Sequence, residues 1–224
     1  MGSFVVLTPS RGLVHSRVVE AVMDNVAEAL AAGHEFRGWR LTHDLPIPDC
    51  DERVAADGFA TGADALWFVE EDTIPPAGAL LASFELLRTI PIAAVDYPVG
   101  ELGWECVNHD RRTGEIRWCG LGATLIRREV FERLPRPWFR TDYEYHQNRD
   151  GTGWEPRPSN VPNERRYGQQ DIYFFMAARA AGFTIGQVPG LTAAQARLVS
   201  LGKSGSNVGW HQIVIDDQIR RLQP

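Results

Sequence analysis

The sequence predicts an α/β fold in which a mostly parallel central sheet is flanked by helices. Short apolar runs alternate with amphipathic segments over residues 1–100, a pattern that is typical of buried parallel strands joined by helices. Each apolar run also ends abruptly at polar or acidic residues, as a strand does where it meets a loop. With 224 residues, the chain is long enough for one such domain.

The first elements form a strand–helix–strand unit. Residues 4–7 are apolar and end at Thr8-Pro9-Ser10-Arg11, which indicates a parallel strand followed by a binding loop. Apolar residues recur at helical spacing from 15 to 32, and residues 36–41 predict a second strand. Such a unit is the building block of a parallel sheet.

The alternation continues through the next fifty residues. A helix that carries Arg53 is predicted over residues 50–61, and a buried strand over 66–69. An amphipathic helix over 76–89 and another buried strand over 92–95 follow. The order βαβαβαβ is the one that a sheet covered by helices on both faces requires.

The second half of the chain has a different pattern. Arg112-Thr113-Gly114-Glu115 resembles a hairpin turn between two short strands. Residues 119–126 combine Gly120 and Gly122 with an apolar strand, and a short helix follows over 127–134. Glycine in such a strand permits close approach of a ligand or marks close packing of another chain segment. The sequence favours neither explanation.

The last third combines a polar stretch with one strongly periodic helix. Residues 141–166 lack periodicity, which predicts a long functional loop or lid. Gly168-Gln169-Gln170-Asp171 opens a helix that runs to residue 181, and Asp171 also has a capping and dipole explanation there. A last strand over 184–188 and a glycine-rich tail complete the chain.

Three consecutive acids, Glu70, Glu71 and Asp72, follow the strand at 66–69. The carboxyl ends of parallel strands border the ligand crevice of an open α/β sheet. In an extended segment Glu70 and Asp72 point the same way and can share a hard cation, whereas Glu71 points elsewhere. The alternative is that Asp72 or Thr73 caps the next helix, which explains one acid but not three.

Composition restricts the classes of function. The net charge of −6 and the pI near 5.5 argue against a broad basic surface for nucleic acid. Three cysteines without a C-x-x-C pair suggest neither a disulfide framework nor a structural zinc site, which fits a reduced, cytoplasmic setting. No apolar run has membrane length, so the sequence predicts a soluble protein.

Together these motifs resemble nucleotide-sugar glycosyltransferases of the GT-A fold, of the bacterial and phage type similar to glycosyltransferase family 2. The resemblance lies in the loop after the first strand, the acidic triplet followed by prolines, the glycine-rich strand before Arg127-Arg128, and the Gln-Asp pair that opens the last helix. It spans roughly residues 3–190. It implies a Rossmann-like, mostly parallel sheet with a small second antiparallel sheet.

The same resemblance implies one domain over residues 1–224. Within it, residues 1–100 would form the nucleotide-binding half and residues 101–190 the acceptor-side half. Residues 191–224 would form a C-terminal tail.

The resemblance also implies ligand contacts. Glu70-Glu71-Asp72 is similar to the family's Asp-x-Asp motif, so Asp72 and Glu70 would bind a divalent ion, Mn²⁺ or Mg²⁺, and Glu71 would lie near the ribose. Because glutamate replaces the first aspartate, Glu70 would contact the metal through water. A donor such as a UDP-sugar would be contacted by Thr8, Pro9, Ser10, Arg11, Arg53 and Gly122.

Asp171 matches the aspartate that acts as general base in inverting members of the family. Gln170 replaces the glutamate that precedes it there. The helix N-terminus predicts a lowered pKa for Asp171, which ensures ionisation but weakens the base. Many members carry a metal-binding histidine after the last strand, where this chain has Gln195; His211 is the only histidine farther along. The third metal ligand is therefore His211, Gln195 or neither.

The implied activity is a hexosyltransferase-type transfer, with inversion, to a hydroxyl group of a protein, a modified DNA base or a glycan. Two other classes stay open: a nucleotidyltransferase of similar fold, and a carbohydrate-binding module that uses the seven tryptophans as stacking platforms. A local phosphate-contacting patch could be formed by Arg149, Arg157, Arg165 and Arg166.

Overall fold

The computed structural model describes residues 1–10, 12–99, 104–147, 154–158, 169–201 and 209–215. For residues 104, 144–147, 154–158, 197–201 and 209–215 the description covers the backbone alone. Arg11, Arg149, Arg165, Arg166 and Gly168, and the side chains of Arg157 and His211, lie outside it.

The first half of the chain alternates strands and helices, as predicted. Its elements are β1 (Ser3–Thr8), α1 (Ser16–Ala31), β2 (Glu35–Leu41), α2 (Asp49–Phe59), β3 (Ala65–Val69), β4 (Thr73–Ile74), α3 (Ala79–Leu87) and β5 (Ile92–Asp96). The second half is richer in short strands. Its elements are β6 (Pro98–Val99), β7 (Trp104–Glu105), β8 (Asn108–His109), β9 (Ile116–Trp118), β10 (Ala123–Arg127), α4 (Arg128–Arg133), β11 (Tyr143–Gln147), β12 (Trp154–Pro158), α5 (Gln170–Ala180), β13 (Ile185–Thr192), β14 (Ala194–Leu201) and β15 (Gly209–Ile215).

A six-stranded sheet in the order β13-β5-β10-β3-β1-β2 forms the centre of the molecule. All its strands run parallel except β10, which is antiparallel to both of its neighbours. The predicted mostly parallel α/β sheet is therefore confirmed. Because β10 is reversed, its first residues lie at the same edge of the sheet as the last residues of β3 and β5.

The core consists of the strands that the apolar runs predict. All residues of β1, β3 and β5 are buried, whereas β2, at the edge of the sheet, is partly exposed. Strands that are buried on both faces need continuous apolar runs, which is why these segments show no polar alternation. None of the described helices is long and apolar enough to cross a membrane.

A second, three-stranded antiparallel sheet in the order β15-β14-β4 begins directly after the acidic triplet. The predicted capping role of Asp72 or Thr73 is wrong, because Thr73 belongs to β4 and pairs with Gln195 of β14. Helix α3 starts only at Ala79, after Gly78, whose φ of 75° lies in the left-handed region that favours glycine. The helix predicted from residue 76 therefore begins later, at Ala79.

Two segments that the sequence assigns to irregular structure contain strands. Within the predicted loop at 141–166, β11 and β12 form an antiparallel pair, and within the predicted tail, β14 pairs with β15. Residues 194–198 do alternate apolar and polar side chains, so a strand signal is present there, but the prolines and glycines of the two segments indicate loops. The hairpin predicted at 112–115 is confirmed between β8 and β9: the Gly114 N–H donates to the Asp110 carbonyl at 2.8 Å, and the φ of Gly114 is 73°.

Candidate functional site

A cleft of about 370 Å³ opens at the carboxyl edge of the central sheet, which is a volume suited to a small-molecule ligand. The segments after β1, β3 and β5 meet there with the start of α5 and the start of β14. Five of the residues that line it carry carboxylates: Asp51, Glu70, Glu71, Asp72 and Asp171. A concentration of negative charge of this kind favours a cationic or metal-bridged ligand.

The acidic triplet enters the cleft through a tight turn. The Thr73 N–H donates to the Glu70 carbonyl at 3.2 Å, so the acids lie in a β-turn and not in an extended segment. The predicted alternation of side chains is therefore wrong, since Glu71 lines the cleft together with Glu70 and Asp72. The carbonyl of Glu71 also accepts the His15 N–H at 3.0 Å, which ties the turn to the start of α1.

Glu70 has a strongly perturbed ionisation. Burial raises its pKa well above the ordinary value, and the negative charges of Asp72, Asp171 and Asp51 raise it further. The Tyr97 hydroxyl opposes this shift by donating a hydrogen bond to Glu70 Oε2 at 3.3 Å. Three of the other four carboxylates are thus close enough to influence the pKa of Glu70.

Asp72 is held by the second sheet. The Ala196 N–H donates to the Asp72 carbonyl at 2.7 Å, and Gln195 Nε2 donates to Asp72 Oδ2 at 3.4 Å. The strand register places His211 of β15 opposite Val199, which is four residues beyond Gln195 and roughly 13 Å farther along β14. The structure therefore brings Gln195, and not the backbone of His211, beside Asp72.

Asp171 lies in the first turn of α5, which Gln169 precedes with a left-handed φ of 70°. Its Oδ1 accepts the Ile172 N–H at 2.8 Å. Burial nevertheless raises the pKa of Asp171 to about 6, against the opposing effect of the backbone N–H groups of Ile172 and Asp171. The lowered pKa predicted from the helix N-terminus is wrong, because loss of hydration outweighs those two hydrogen bonds.

Two buried polar residues of the cleft have no role in the sequence-based site. Asp51, in the first turn of α2, is 1% exposed, and Gln170 is 6% exposed. Among the described residues, none is a hydrogen-bond partner of Gln170 Oε1. Nothing in the sequence assigns Asp51 to the site. It is one of three acids in the first turn of α2, and favourable interaction with the helix dipole explains acids at that position.

Of the residues predicted to contact the donor in α2 and in the loop after β1, the structure places some at the cleft and others away from it. The Arg53 side chain is 66% exposed, pairs with Asp57 at 2.9 Å and does not line the cleft. Pro9 lines it. The hydroxyl groups of Thr8 and Ser10 are used internally, since they accept hydrogen bonds from Trp39 Nε1 at 2.9 Å and from the Gly12 N–H at 3.0 Å.

Gly122 does not line the cleft but packs behind it. A Cβ atom at this position would lie 2.5 Å from Thr73 Oγ1 and 2.6 Å from Tyr97 Cζ. Close packing of neighbouring chain segments therefore explains this glycine, as one of the two sequence-based explanations proposed.

The carboxylates of the cleft suit a metal ion that is shared with a ligand. Within the described ranges, no group of three His, Cys, Asp or Glu side chains could by itself hold a metal ion. Mg²⁺, however, is usually bound by one or two carboxylates together with phosphate oxygens of the substrate. Asp72 and Glu70 are the residues that would supply such hard oxygen ligands at the carboxyl edge of the central sheet.

The chain matches no protein-family model and no curated protein. Its structure is similar to that of A197 from STIV, with a TM-score of 0.54 and 18% identity, over 87% of this chain and 85% of the other. It is also similar to the catalytic domain of Drosophila beta1,4galactosyltransferase 7 in complex with xylobiose, with a TM-score of 0.50 and 17% identity, over 86% of this chain and 68% of the other. The chain therefore has a GT-A-like, glycosyltransferase-like fold.

Proposed function

We propose that this protein is a metal-dependent, inverting glycosyltransferase that moves a sugar from a nucleotide-sugar donor to a hydroxyl acceptor. The observation that supports this most is the lining of the cleft. Five carboxylates meet at the carboxyl edge of a GT-A-like sheet, and none of the described lining residues is Lys, Arg or His. Asp171, one of the five, has a pKa that suits a base at neutral pH.

The charge of the cleft explains why the donor would need a metal ion. A nucleoside diphosphate is an anion, and carboxylates alone would repel it. We infer that Asp72 and Glu70 hold a divalent cation, Mn²⁺ or Mg²⁺, together with the diphosphate of a donor such as a UDP-sugar. The chemistry that this ion supplies is stabilisation of the negative charge on the departing diphosphate.

Asp171 would act on the acceptor. As the acceptor oxygen forms its bond to the anomeric carbon, the bond between that carbon and the diphosphate breaks, and the hydroxyl proton passes to the Asp171 carboxylate. A pKa of about 6 leaves this carboxylate ionised at neutral pH and makes it a stronger base than an ordinary aspartate. Because the lining repels phosphates, we favour a protein or glycan hydroxyl over a modified DNA base.

Thermal unfolding tests the donor side of this proposal. Uridine and guanosine diphosphates and their sugar conjugates are added with Mn²⁺, with Mg²⁺ or with a chelator. We expect one nucleotide to raise the Tm only when the divalent ion is present, because binding to the folded state alone stabilises it. Stabilisation that is equal with the chelator would contradict metal dependence, and stabilisation by a nucleoside triphosphate with release of pyrophosphate would indicate a nucleotidyltransferase.

Two substitutions separate binding from chemistry. Asp72→Ala is expected to remove the metal-linked stabilisation, whereas Asp171→Ala is expected to keep it and to lower the rate of diphosphate release by at least about a hundredfold. Glu85→Ala is the matched control, since Glu85 is an exposed carboxylate of α3 outside the cleft. Full turnover in Asp171→Ala would exclude it as the base.

A further inference from the structure

We propose that Tyr97 is a positioning residue that fixes the carboxylate of Glu70 at the cleft, and that Gly120 and Gly122 are glycines because they make room for it. The effect on metal and nucleotide binding rests on the proposed function. The effect on the position of Glu70 does not. Tyr97 follows β5, Glu70 follows β3 and the two glycines precede β10, so the group joins three adjacent strands.

A closed ring of hydrogen bonds connects these segments. The Tyr97 hydroxyl donates to Glu70 Oε2 at 3.3 Å and accepts the Gly122 N–H at 3.1 Å. The Gly122 carbonyl in turn accepts the Glu70 N–H at 3.2 Å. Both the backbone and the side chain of Glu70 are therefore attached to the same unit. A buried phenol needs hydrogen-bond partners, and this ring supplies them.

The phenol ring of Tyr97 is buried and packs directly against the backbone of both glycines. Tyr97 is 3% exposed. A Cβ atom at Gly120 would lie 1.9 Å from the Tyr97 hydroxyl oxygen, and one at Gly122 would lie 2.6 Å from Tyr97 Cζ. Neither position can carry a side chain while the ring stays where it is. The two glycines, which in sequence are compatible with close approach of a ligand, are instead required by Tyr97.

The position of Glu70 needs such support because of its neighbours. Asp51, Asp72 and Asp171 line the cleft together with it, and a flexible glutamate side chain has other rotamers that would move it away from them toward solvent. The hydrogen bond from Tyr97 opposes that movement. It keeps Glu70 in the lining of the cleft, next to the acid that is proposed as the direct metal ligand.

Tyr97→Phe removes the hydroxyl and keeps the ring that fills the space beside the glycines. We expect crystals of this variant to show the Glu70 carboxylate displaced from its position in wild-type crystals grown at the same pH. We also expect the dissociation constant of Mn²⁺, measured calorimetrically with uridine diphosphate, to rise about tenfold, as loss of one hydrogen bond to a charged group predicts.

The control is Thr124→Val. It removes another buried hydroxyl from the same region, one that donates to the Gly120 carbonyl at 2.8 Å. A general loss of stability would affect both variants, whereas the position of Glu70 and the Mn²⁺ dissociation constant should change only in Tyr97→Phe.

The outcomes are distinguishable. An unchanged Glu70 position in Tyr97→Phe crystals overturns the positioning role, whatever the protein binds. A displaced Glu70 with unchanged Mn²⁺ binding overturns the functional consequence. If the wild-type protein binds no metal-linked nucleotide, the proposed function fails, while the crystal comparison still decides the role of Tyr97.

Discussion

Individual residues of the cleft owe their chemistry to burial more than to their place in an element. Asp171 lies where a helix N-terminus stabilises negative charge, yet its pKa is raised to about 6. A helix terminus lowers a carboxyl pKa when water also solvates the group, and here part of that solvation is removed. The result is a carboxylate suited to accept a proton. A surface capping residue would not have this property.

Asp171→Asn provides a test at this scale. The pKa of Asp171 in the folded state, about 6, exceeds the ordinary value of 3.8. Between these pH values the folded state therefore binds more protons than the unfolded state. The contribution of Asp171 to stability falls as pH rises through that window. Above pH 6 the charge of this half-buried carboxylate is destabilising. We therefore expect Asp171→Asn to raise the Tm at pH 7.5 by about 2–4 °C, for a gain of about 1 kcal/mol in a chain of this size, while turnover is lost.

The same pKa predicts a pH profile for the proposed transfer reaction. A base must be deprotonated to act, so kcat/KM should fall below a pH of about 6. A Tm of Asp171→Asn that is lower than that of the wild-type protein at pH 7.5 would contradict the destabilising charge. A flat profile from pH 5 to pH 8 would contradict the role as base.

At the scale of elements, β14 connects the C-terminal part of the chain to the turn that carries Glu70, Glu71 and Asp72. It pairs with β4, places Gln195 beside Asp72 and donates the Ala196 N–H to the Asp72 carbonyl at 2.7 Å. The turn is thereby supported from two sides, by α1 through Glu71 and by β14 through Asp72. We infer that the second sheet is part of the site's architecture and not an appended tail.

Ala196→Pro tests this connection. Proline removes the N–H that bonds to Asp72 and is poorly tolerated in β14, which lies between two other strands. We expect a smaller Tm increase on addition of Mn²⁺ and nucleotide than in the wild-type protein, in addition to a lower starting Tm. Ala196→Gly, which keeps the N–H, is the control. An equal Tm increase in Ala196→Pro would show that β14 does not support the turn.

At the scale of the whole molecule, the two halves of the chain share one sheet. Strand β10, from the second half, lies between β3 and β5 of the first half, and β13 pairs with β5. Without β10, β3 and β5 would have no common neighbour, and the backbone N–H and C=O groups along their facing edges would be unpaired. The nucleotide-binding half inferred from sequence is thus a region of one fold.

A fragment of residues 1–100 is therefore expected not to fold cooperatively. It contains β1, β2, β3 and β5 but lacks the strand that joins β3 to β5. The measurement is thermal unfolding followed by circular dichroism, with the full chain as the reference. A sharp transition in the fragment would contradict a shared sheet and would indicate an independent nucleotide-binding unit.

The sequence by itself determined the central strands and the acids at their ends. The buried runs of β1 and β3 and the triplet Glu70-Glu71-Asp72 are visible because hydrophobicity, and the point where it stops, are local properties of the chain. The same is true of the hairpin at Gly114, whose positive φ follows from local turn chemistry.

Only the tertiary structure decided how these parts meet. That Tyr97 requires Gly122, that Gln195 lies beside Asp72 and that Asp51 shares the cleft depend on contacts between residues far apart in sequence. The pKa of Asp171 also depends on the tertiary structure, since burial is a property of the folded molecule. Local patterns specify which segments become strands, whereas distances across the fold set the charge and geometry of the site.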